Sequence, residues 1–307
     1  MIDVARQLQA QPAAVVQEVD EAEPGRWASV WRRFRGDYVA LASLVVAMLL
    51  VVVALAAPLI STYVTGFEPQ QQSLLRALRP PGAPNYLGTD ELGRDVLTRL
   101  VYGARVSLGV AALTVTVALT LGAFLGSLAG YYGGWVDSVI MRSVDALQSI
   151  PSLFILIFVS VIFNVGPVSL AFVIASLSWT GISRLVRAEV LSLRTRDFVV
   201  AARALGASDA RLIVHHVMPN VVPVMIVWAT LAVGNVILSE ATLSYLGLGI
   251  QPPTPSWGNM LTNAQQYFYR SATLVIAPGL AIFVTVLVVN VVGNALRDAL
   301  DPRLGHR

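Results

Sequence analysis

The segment AARALGASDARLIVHHVMPN, residues 201–220, brings together residue types that hydrolases use. Ser208, Asp209 and the neighbouring His215 and His216 supply a hydroxyl, a carboxylate and two imidazoles. A serine triad requires these groups in a defined geometry, and nothing around Ser208 resembles the sharp turn that presents a nucleophile. We therefore assign no catalytic residue here and expect His216 to pack or to hydrogen-bond locally.

The residue types that are missing exclude further chemistry. The 307 residues include no cysteine and no lysine, so there is no disulfide, no thiol nucleophile and no complete G-x-x-x-x-G-K-[ST] phosphate loop. Three histidines are too few for a His-rich metal site. A net charge of +3 is too small to suggest nucleic acid. We predict no catalytic site, metal site or cofactor on this chain; if ATP drives the protein, another chain hydrolyses it.

The composition is that of a membrane protein. Hydrophobic residues make up 56% of the chain and charged residues 13%, with a mean hydropathy of +0.69, whereas soluble domains carry roughly 25% charged residues. A helix needs about 20 apolar residues to cross a bilayer. The sequence therefore predicts an all-α polytopic membrane protein with six spans, at about 39–60, 106–130, 138–163, 167–182, 221–238 and 272–292.

The distribution of arginine predicts the orientation. With a cytoplasmic N-terminus, fifteen arginines fall in inside segments and five in outside segments, as the positive-inside rule requires. Both termini are then cytoplasmic. The chain divides into a flexible cytoplasmic tail at 1–38, a membrane domain at 39–296 with a cytoplasmic segment at 189–220, and a C-terminal tail at 297–307.

Glycine and proline predict some of the packing. Gly122, Gly126 and Gly130 recur every four residues on one helix face, which favours close contact with a neighbouring helix. Pro151 is expected to kink the third span. The proline-rich and glycine-rich outer segments 61–104 and 247–271 are predicted to be ordered loops with short helices.

The 201–220 segment itself is predicted to form two helices. Gly206 suits the left-handed position after the first helix, and Ser208 suits the N-cap of the second. Phe198, Val199, Ala202 and Leu205 fall at helix-face spacing. Such a segment either rests on the lipid interface or docks a cytoplasmic partner, and periodicity leaves both interpretations open.

The same segment resembles the EAA motif of permease subunits in ATP-binding-cassette importers, which reads E-A-A, three residues, G, nine residues, I, one residue, L-P. Ala201, Ala202, Gly206 and Pro219 match this pattern at the correct spacing. The pattern's glutamate, isoleucine and leucine are replaced by Val200, His216 and Met218.

Further stretches are similar to the C-type permease of dipeptide, oligopeptide and nickel importers. They read WRRFRGDYVALASLVVAMLLVVVALAAPLI, LGTDELGRDVLTRLVYGARVSL, LSEATLSYLGLGIQPPTPSWGNML and LRDALDPRL. The resemblance runs from about Trp31 to the C-terminus. It implies a type I importer permease fold in a prokaryotic plasma (inner) membrane. The implied partners are a B-type permease, two cytoplasmic ATPase subunits (or one fused ATPase) that hold ATP and Mg, and an extracytoplasmic substrate-binding protein.

Three groups of candidate residues follow. The resemblance implies an ATPase-coupling group, namely Ala201, Ala202, Arg203, Gly206, Ala207, Ser208, Arg211 and Pro219. Polar residues within or near the spans are candidates for the pathway, since buried polar groups usually face a bundle interior or water; these are Asp145, Gln148, Asn235, Glu240 and Asn290. Asp145 and Glu240 lie near predicted span ends, where exposure at the interface is the alternative to a pathway role. Trp257, in the predicted outer segment, contacts the binding protein, closes the pathway from outside or is an interfacial tryptophan.

Two other functional classes remain open from the residues alone. A secondary transporter or channel works without ATP, but it needs an internal repeat or charged pairs at mid-membrane, and the sequence offers neither clearly. A structural membrane subunit has no pathway of its own. Within the importer class, dipeptides or oligopeptides are the favoured substrates, and nickel chelates and glutathione-like peptides stay open.

Overall fold

The computed structural model describes residues 26–163 and 166–300, so most of the predicted N-terminal tail and the end of the C-terminal tail lie outside the described residues. Over these ranges the chain is helical and contains no β-strand. The longer helices are α1 (Arg26–Gly36), α2 (Tyr38–Leu55), α3 (Val96–Tyr132), α4 (Gly134–Gln148), α5 (Ser152–Ile162), α6 (Pro167–Leu193), α7 (Asp197–Ala204), α8 (Met218–Tyr245) and α9 (Thr273–Leu300). Shorter helical turns are Ala57–Ile60, Ser61–Thr65, Leu74–Arg76, Asp209–Arg211, Leu212–Val217, Trp257–Met260 and Ala264–Tyr267.

Five helices of the described ranges are long and apolar enough to cross a membrane, and a sixth span results if α4 and α5 count as one. These two helices meet at an angle of 80°. Pro151 stands at the junction and precedes the first residue of α5, so the predicted position of the bend is confirmed. The bend is sharper than a kink, because the chain leaves the helical conformation for several residues.

The helices extend beyond the predicted apolar spans. The second predicted span began at residue 106, whereas α3 begins at Val96, where the Asp95 carboxylate accepts from the backbone N–H of Thr98. The fourth was predicted to end at residue 182, whereas α6 continues to Leu193. An apolar run marks only the part of a helix that lipid surrounds, and these helices continue through polar turns at both membrane faces.

The predicted glycine face of α3 packs directly against α6. A side chain at Gly122, Gly126 or Gly130 of α3 would collide with α6, against backbone or side-chain atoms of Trp179, Ser183 and Val190 respectively. The missing side chains therefore let the two backbones touch, as predicted. This pairing fixes α3 and α6 as one unit.

The part of the tail that is described is ordered, contrary to the expected flexibility. Helix α1 buries Val30 and Phe34 against Ala40 of α2 and Ala299 of α9. Its exposed face carries Arg32 and Arg35. An amphipathic helix with a basic face suits the surface of a membrane.

The two loops predicted to be the outer ones, within residues 61–104 and 247–271, form one layer. Leu78 and Leu87 of the first loop pack with Met260 and Tyr267 of the second, around the buried Leu274. Asp90 and Arg94 of the first loop are also buried and form an ion pair of 2.6 Å, with Arg99 of α3 3.5 Å from the same carboxylate. The prediction of ordered loops with short helices is confirmed.

Candidate coupling segment and pathway residues

The predicted helix, turn and second helix are present between residues 197 and 217. Helix α7 ends at Ala204, and Gly206 follows with φ of +86°, the left-handed conformation predicted for it. Ser208 occupies the N-cap of the next turn, Asp209–Arg211, but its side chain makes no capping hydrogen bond within the described residues. The turn Leu212–Val217 then leads into α8, with Pro219 in the first turn of that helix.

One face of this segment is sealed against the helix bundle. Val199, Leu212 and Val217 are fully buried and belong to an apolar cluster with Val186 and Val190 of α6. Ala202 and Ala207 pack against the same cluster. The segment is thus fixed to the bundle by its own core and is more than a loose connection.

The opposite face is apolar and uncovered. Leu205 is 90% exposed and Val200 is 51% exposed, and the small residues Ala201 and Gly206 are exposed beside them. The four residues predicted to share one helix face are therefore divided. Val199 and Ala202 pack against the bundle, whereas Phe198 and Leu205 are exposed. Ser208 and Arg211 are exposed as well.

A polar contact that the sequence did not reveal ties this segment to the end of α3. The Tyr131 hydroxyl donates to Asp209 Oδ1 at 2.6 Å, and Arg203 Nη2 donates to the same hydroxyl at 3.1 Å. Arg203 is exposed as a residue, and its guanidinium is bound to this tyrosine of the bundle. The one sequence signal for Tyr131 is its position at the end of an apolar run.

The polar candidates for a pathway are dispersed. Gln148 donates to the Thr180 hydroxyl at 3.1 Å, and both line a cavity of about 460 Å³ beside the break between α4 and α5. Asp145 is exposed and pairs with Arg184 at 2.6 Å. Asn235 is exposed on α8, and Asn290 is half-buried and donates to the Val286 carbonyl at 2.9 Å.

Glu240 differs from expectation. It was expected at an exposed interface or along a pathway, yet it is fully buried. Its two oxygens accept from the hydroxyls of Ser107 at 2.8 Å and Ser244 at 2.7 Å. Burial of a carboxyl group is tolerated where such partners satisfy it. Neither serine is predicted from the sequence as a partner, because Ser107 lies 133 residues away and Ser244 is one of several hydroxyl residues on α8.

Trp257 also differs from expectation. Its side chain is 1% exposed, packs against Gly103 of α3, and donates from Nε1 to the Leu100 carbonyl at 3.0 Å. The indole is therefore neither interfacial nor open to a partner in this structure. It fills the space beside Gly103 on α3. Because the two residues are 154 positions apart, no local sequence pattern predicts this contact.

No cluster of three or more histidine, cysteine, aspartate or glutamate side chains that could hold a metal ion occurs among the described residues. The candidate sites that the described residues offer are an uncovered apolar face, a cavity with polar lining groups at a helix break and buried polar contacts at both ends of α3. Docking and passage suit these features better than bond-making chemistry does.

Comparison with known families and relatives supports this interpretation. Residues 122–306 match the family described as binding-protein-dependent transport system inner membrane component, and residues 25–81 match the N-terminal TM domain of oligopeptide transport permease C.

Named relatives match along nearly the whole chain. The dipeptide transport system permease protein DppC of Alkalihalophilus pseudofirmus is 38% identical, with 91% of this chain and 90% of the relative covered. The di/tripeptide transport system permease protein DppC of Pseudomonas aeruginosa is 41% identical, with 89% and 91% covered. The glutathione transport system permease protein GsiD of Pectobacterium atrosepticum is 37% identical, with 91% of each covered.

A solved structure shares the fold. The chain matches a structure titled "Inward facing conformations of the MetNI methionine ABC transporter" with a TM-score of 0.54 and 19% identity, over 67% of this chain and 97% of the other. The predicted helical permease fold is confirmed, and the comparisons give no support to a secondary transporter or channel. This chain belongs to the binding-protein-dependent transport system inner membrane components and is a multi-pass, non-catalytic permease subunit of the ABC importer class.

Proposed function

We propose that this chain is the C-type permease of an importer of dipeptides or oligopeptides and that its 197–217 segment docks into a cytoplasmic ATPase subunit. The observation that carries the proposal is the uncovered apolar face around Leu205, 90% exposed, on a segment whose other face is fully packed. Exposed apolar residues of this kind are typical of protein interfaces. The small residues Ala201 and Gly206 leave room for a close fit.

The proposed assembly has the partners that the family resemblance implies. A B-type permease completes the pathway, two ATPase subunits or one fused ATPase hold ATP and Mg, and an extracytoplasmic binding protein delivers substrate. The chain sits in a prokaryotic inner membrane with both termini in the cytoplasm. The arginine distribution and the family description, which names an inner membrane component, support this placement.

The cavity beside Gln148 supports passage of a peptide. Its polar lining consists of neutral amide and hydroxyl groups, from Gln148, Ser152, Ser178, Thr180 and Ser239, among apolar residues. Such groups can donate to and accept from a peptide backbone without selecting the charge of a side chain. The names of the relatives, which are dipeptide, di/tripeptide and glutathione permeases, favour small peptides. Asp145, Asn235 and Asn290 stay candidates for the rest of the pathway.

Site-directed cross-linking tests the docking face. Because the natural chain has no cysteine, Leu205→Cys introduces a single thiol on the proposed contact face. We expect a benzophenone-maleimide attached there to cross-link an ATPase subunit in membranes from cells that express the complete complex. The matched control, Leu75→Cys, places an equally exposed residue (93%) on an outer loop and should give no ATPase product. Cross-linking from position 75 but not from position 205 would refute the proposed docking.

Uptake measurements test the substrate. Reconstituted complex should accumulate a radiolabelled dipeptide only in the presence of ATP and the binding protein. Excess unlabelled dipeptide should compete more strongly than glutathione or a nickel chelate. Uptake that proceeds without the ATPase subunits would reject the importer mechanism.

A further inference from the structure

Tyr131 lies near the C-terminal end of the 37-residue helix α3. It lies in the last turn of α3 and is 7% exposed, within the apolar cluster that also contains Val199 and Leu212 of the 197–217 segment. Its hydroxyl is the only group of the ring that requires a polar partner. The partners it finds are both on that segment.

Those partners lie on opposite sides of the glycine turn. Arg203 belongs to α7, before Gly206, and Asp209 begins the turn after it. The Tyr131 hydroxyl accepts from Arg203 and donates to Asp209, and the Arg203 guanidinium carbon also lies 5.6 Å from the centre of the tyrosine ring. One side chain of α3 thus holds both halves of the segment. Hydrogen bonds to charged groups are stronger than neutral ones.

The backbone at this point is held from another direction. Arg194, which follows α6, donates from Nη1 to the carbonyls of Gly130 and Tyr131 at 3.1 and 3.0 Å. These carbonyls belong to the last turn of α3, where the helix itself supplies no donor. The end of α3 is therefore fixed to α6 while the tyrosine side chain is fixed to the segment.

The far end of the same helix supports the outer loops. Gly103, seven residues into α3, contacts Trp257, and α3 has 37 residues, which is about 55 Å at 1.5 Å per residue. An uninterrupted helix moves as a rigid element. A displacement of the 197–217 segment that moves Tyr131 is therefore transmitted along α3 to the outer loops.

We propose that Tyr131 is the positioning residue through which the docked segment moves α3, so that loss of its hydroxyl uncouples ATP hydrolysis from transport. This inference rests on the proposed importer function. The tyrosine does not contact ATP or substrate; it acts by holding Arg203 and Asp209. Its removal should therefore leave assembly and basal ATP hydrolysis in place and lower the stimulation that the loaded binding protein produces.

The test compares Tyr131→Phe with Tyr132→Phe in the complete complex in nanodiscs. Tyr132 is the next residue, half exposed, and its hydroxyl has no hydrogen bond among the described residues. We expect Tyr131→Phe to lower stimulated ATP hydrolysis and peptide uptake about tenfold, the size expected when a hydrogen bond to a charged partner is lost. Basal hydrolysis should stay within a factor of two, as a rough bound. Tyr132→Phe should behave as the natural protein.

Variants of the partner separate coupling from folding. Asp209→Asn keeps an oxygen that accepts from Tyr131 and should retain most of the stimulation. Asp209→Ala removes one of the two hydroxyl contacts and leaves the Arg203 contact, so it should lower the stimulation toward the level of Tyr131→Phe without exceeding that loss. The double variant should lose no more than Tyr131→Phe alone. Full stimulation in Tyr131→Phe, or an equal fall in basal and stimulated hydrolysis, would overturn the inference. Absence of ATP-dependent uptake in the natural complex would instead overturn the proposed function.

Discussion

Ser107 on α3 donates a hydrogen bond of 2.8 Å to Glu240 on α8, and so joins two helices through residues 133 positions apart. The contact continues into the second outer loop. Ser107 Oγ also accepts from the backbone N–H of Trp257 at 3.3 Å, and Ser244 Oγ, bound to the same carboxyl group, accepts from the N–H of Ile250 at 3.0 Å. One buried carboxyl group therefore organises two serines that hold the loop against the bundle.

Replacement of Glu240 tests this structural role. In Glu240→Ala the two serine hydroxyls lose their acceptor, and each buried group left without a partner costs about 1–3 kcal/mol. We expect a clear fall in the melting temperature of the purified complex, measured by fluorescence-detected size exclusion. Glu240→Gln keeps an oxygen and fills the same space, so it should melt close to the natural protein and retain uptake. A stable Glu240→Ala variant that has lost uptake would favour a pathway role instead.

Glycine packing between α3 and α6 permits a matched comparison. A β-carbon at Gly126 would lie 2.5 Å from the Ser183 carbonyl oxygen and 2.9 Å from Val186 Cβ, whereas at Gly109 of the same helix it would meet no described atom within 4 Å. Gly126→Ala should therefore destabilise the protein by about 1–3 kcal/mol through overpacking. Gly109→Ala should be neutral or stabilising by up to about 1 kcal/mol, because glycine weakens a helix. Equal melting temperatures for the two variants would contradict the observed contact.

The sequence predicts features that depend on local patterns. Runs of apolar residues predict the helices, the spacing of Gly122, Gly126 and Gly130 predicts a close helix contact, and Gly206 predicts a left-handed turn. Each of these depends on residues within a turn or two of one another, where helical geometry relates sequence to space. The EAA-like spacing likewise predicts the proposed docking segment from a single continuous stretch.

What the sequence does not predict depends on contacts between distant segments. From the sequence, Glu240 is expected to be exposed or to line a pathway because it lies near a predicted span end, and Trp257 is expected to be accessible because it lies in the predicted outer segment 247–271. Their burial requires Ser107 and Gly103 of α3, which only the folded bundle brings near them. The contacts of Tyr131 are not predictable from the sequence for the same reason, because its partners Arg203 and Asp209 follow it by more than seventy residues.

The cavity beside the helix break yields a prediction about transport. Gln148→Leu removes the amide that donates to Thr180 and makes the lining more apolar, while it preserves the approximate size of the side chain. We expect peptide uptake to fall several-fold because a peptide backbone loses a polar partner there, and the basal ATP hydrolysis to persist. Thr116→Val, an exposed polar-to-apolar change outside this cavity, is the control. If both variants transport equally well, the cavity is not part of the pathway.

Single cysteines also decide the orientation, because the natural chain contributes no background labelling. Leu75→Cys lies on the first outer loop and Leu205→Cys on the proposed docking face, and both positions are almost fully exposed. With cytoplasmic termini, a membrane-impermeant maleimide should label position 75 in intact spheroplasts and position 205 only after permeabilisation. Labelling at 205 should increase further when the ATPase genes are deleted, because the docking face is then uncovered. Labelling of position 205 in intact spheroplasts would show the opposite topology and exclude contact with a cytoplasmic ATPase. If labelling at 205 is the same with and without the ATPase genes, the topology stands and the docking face is rejected.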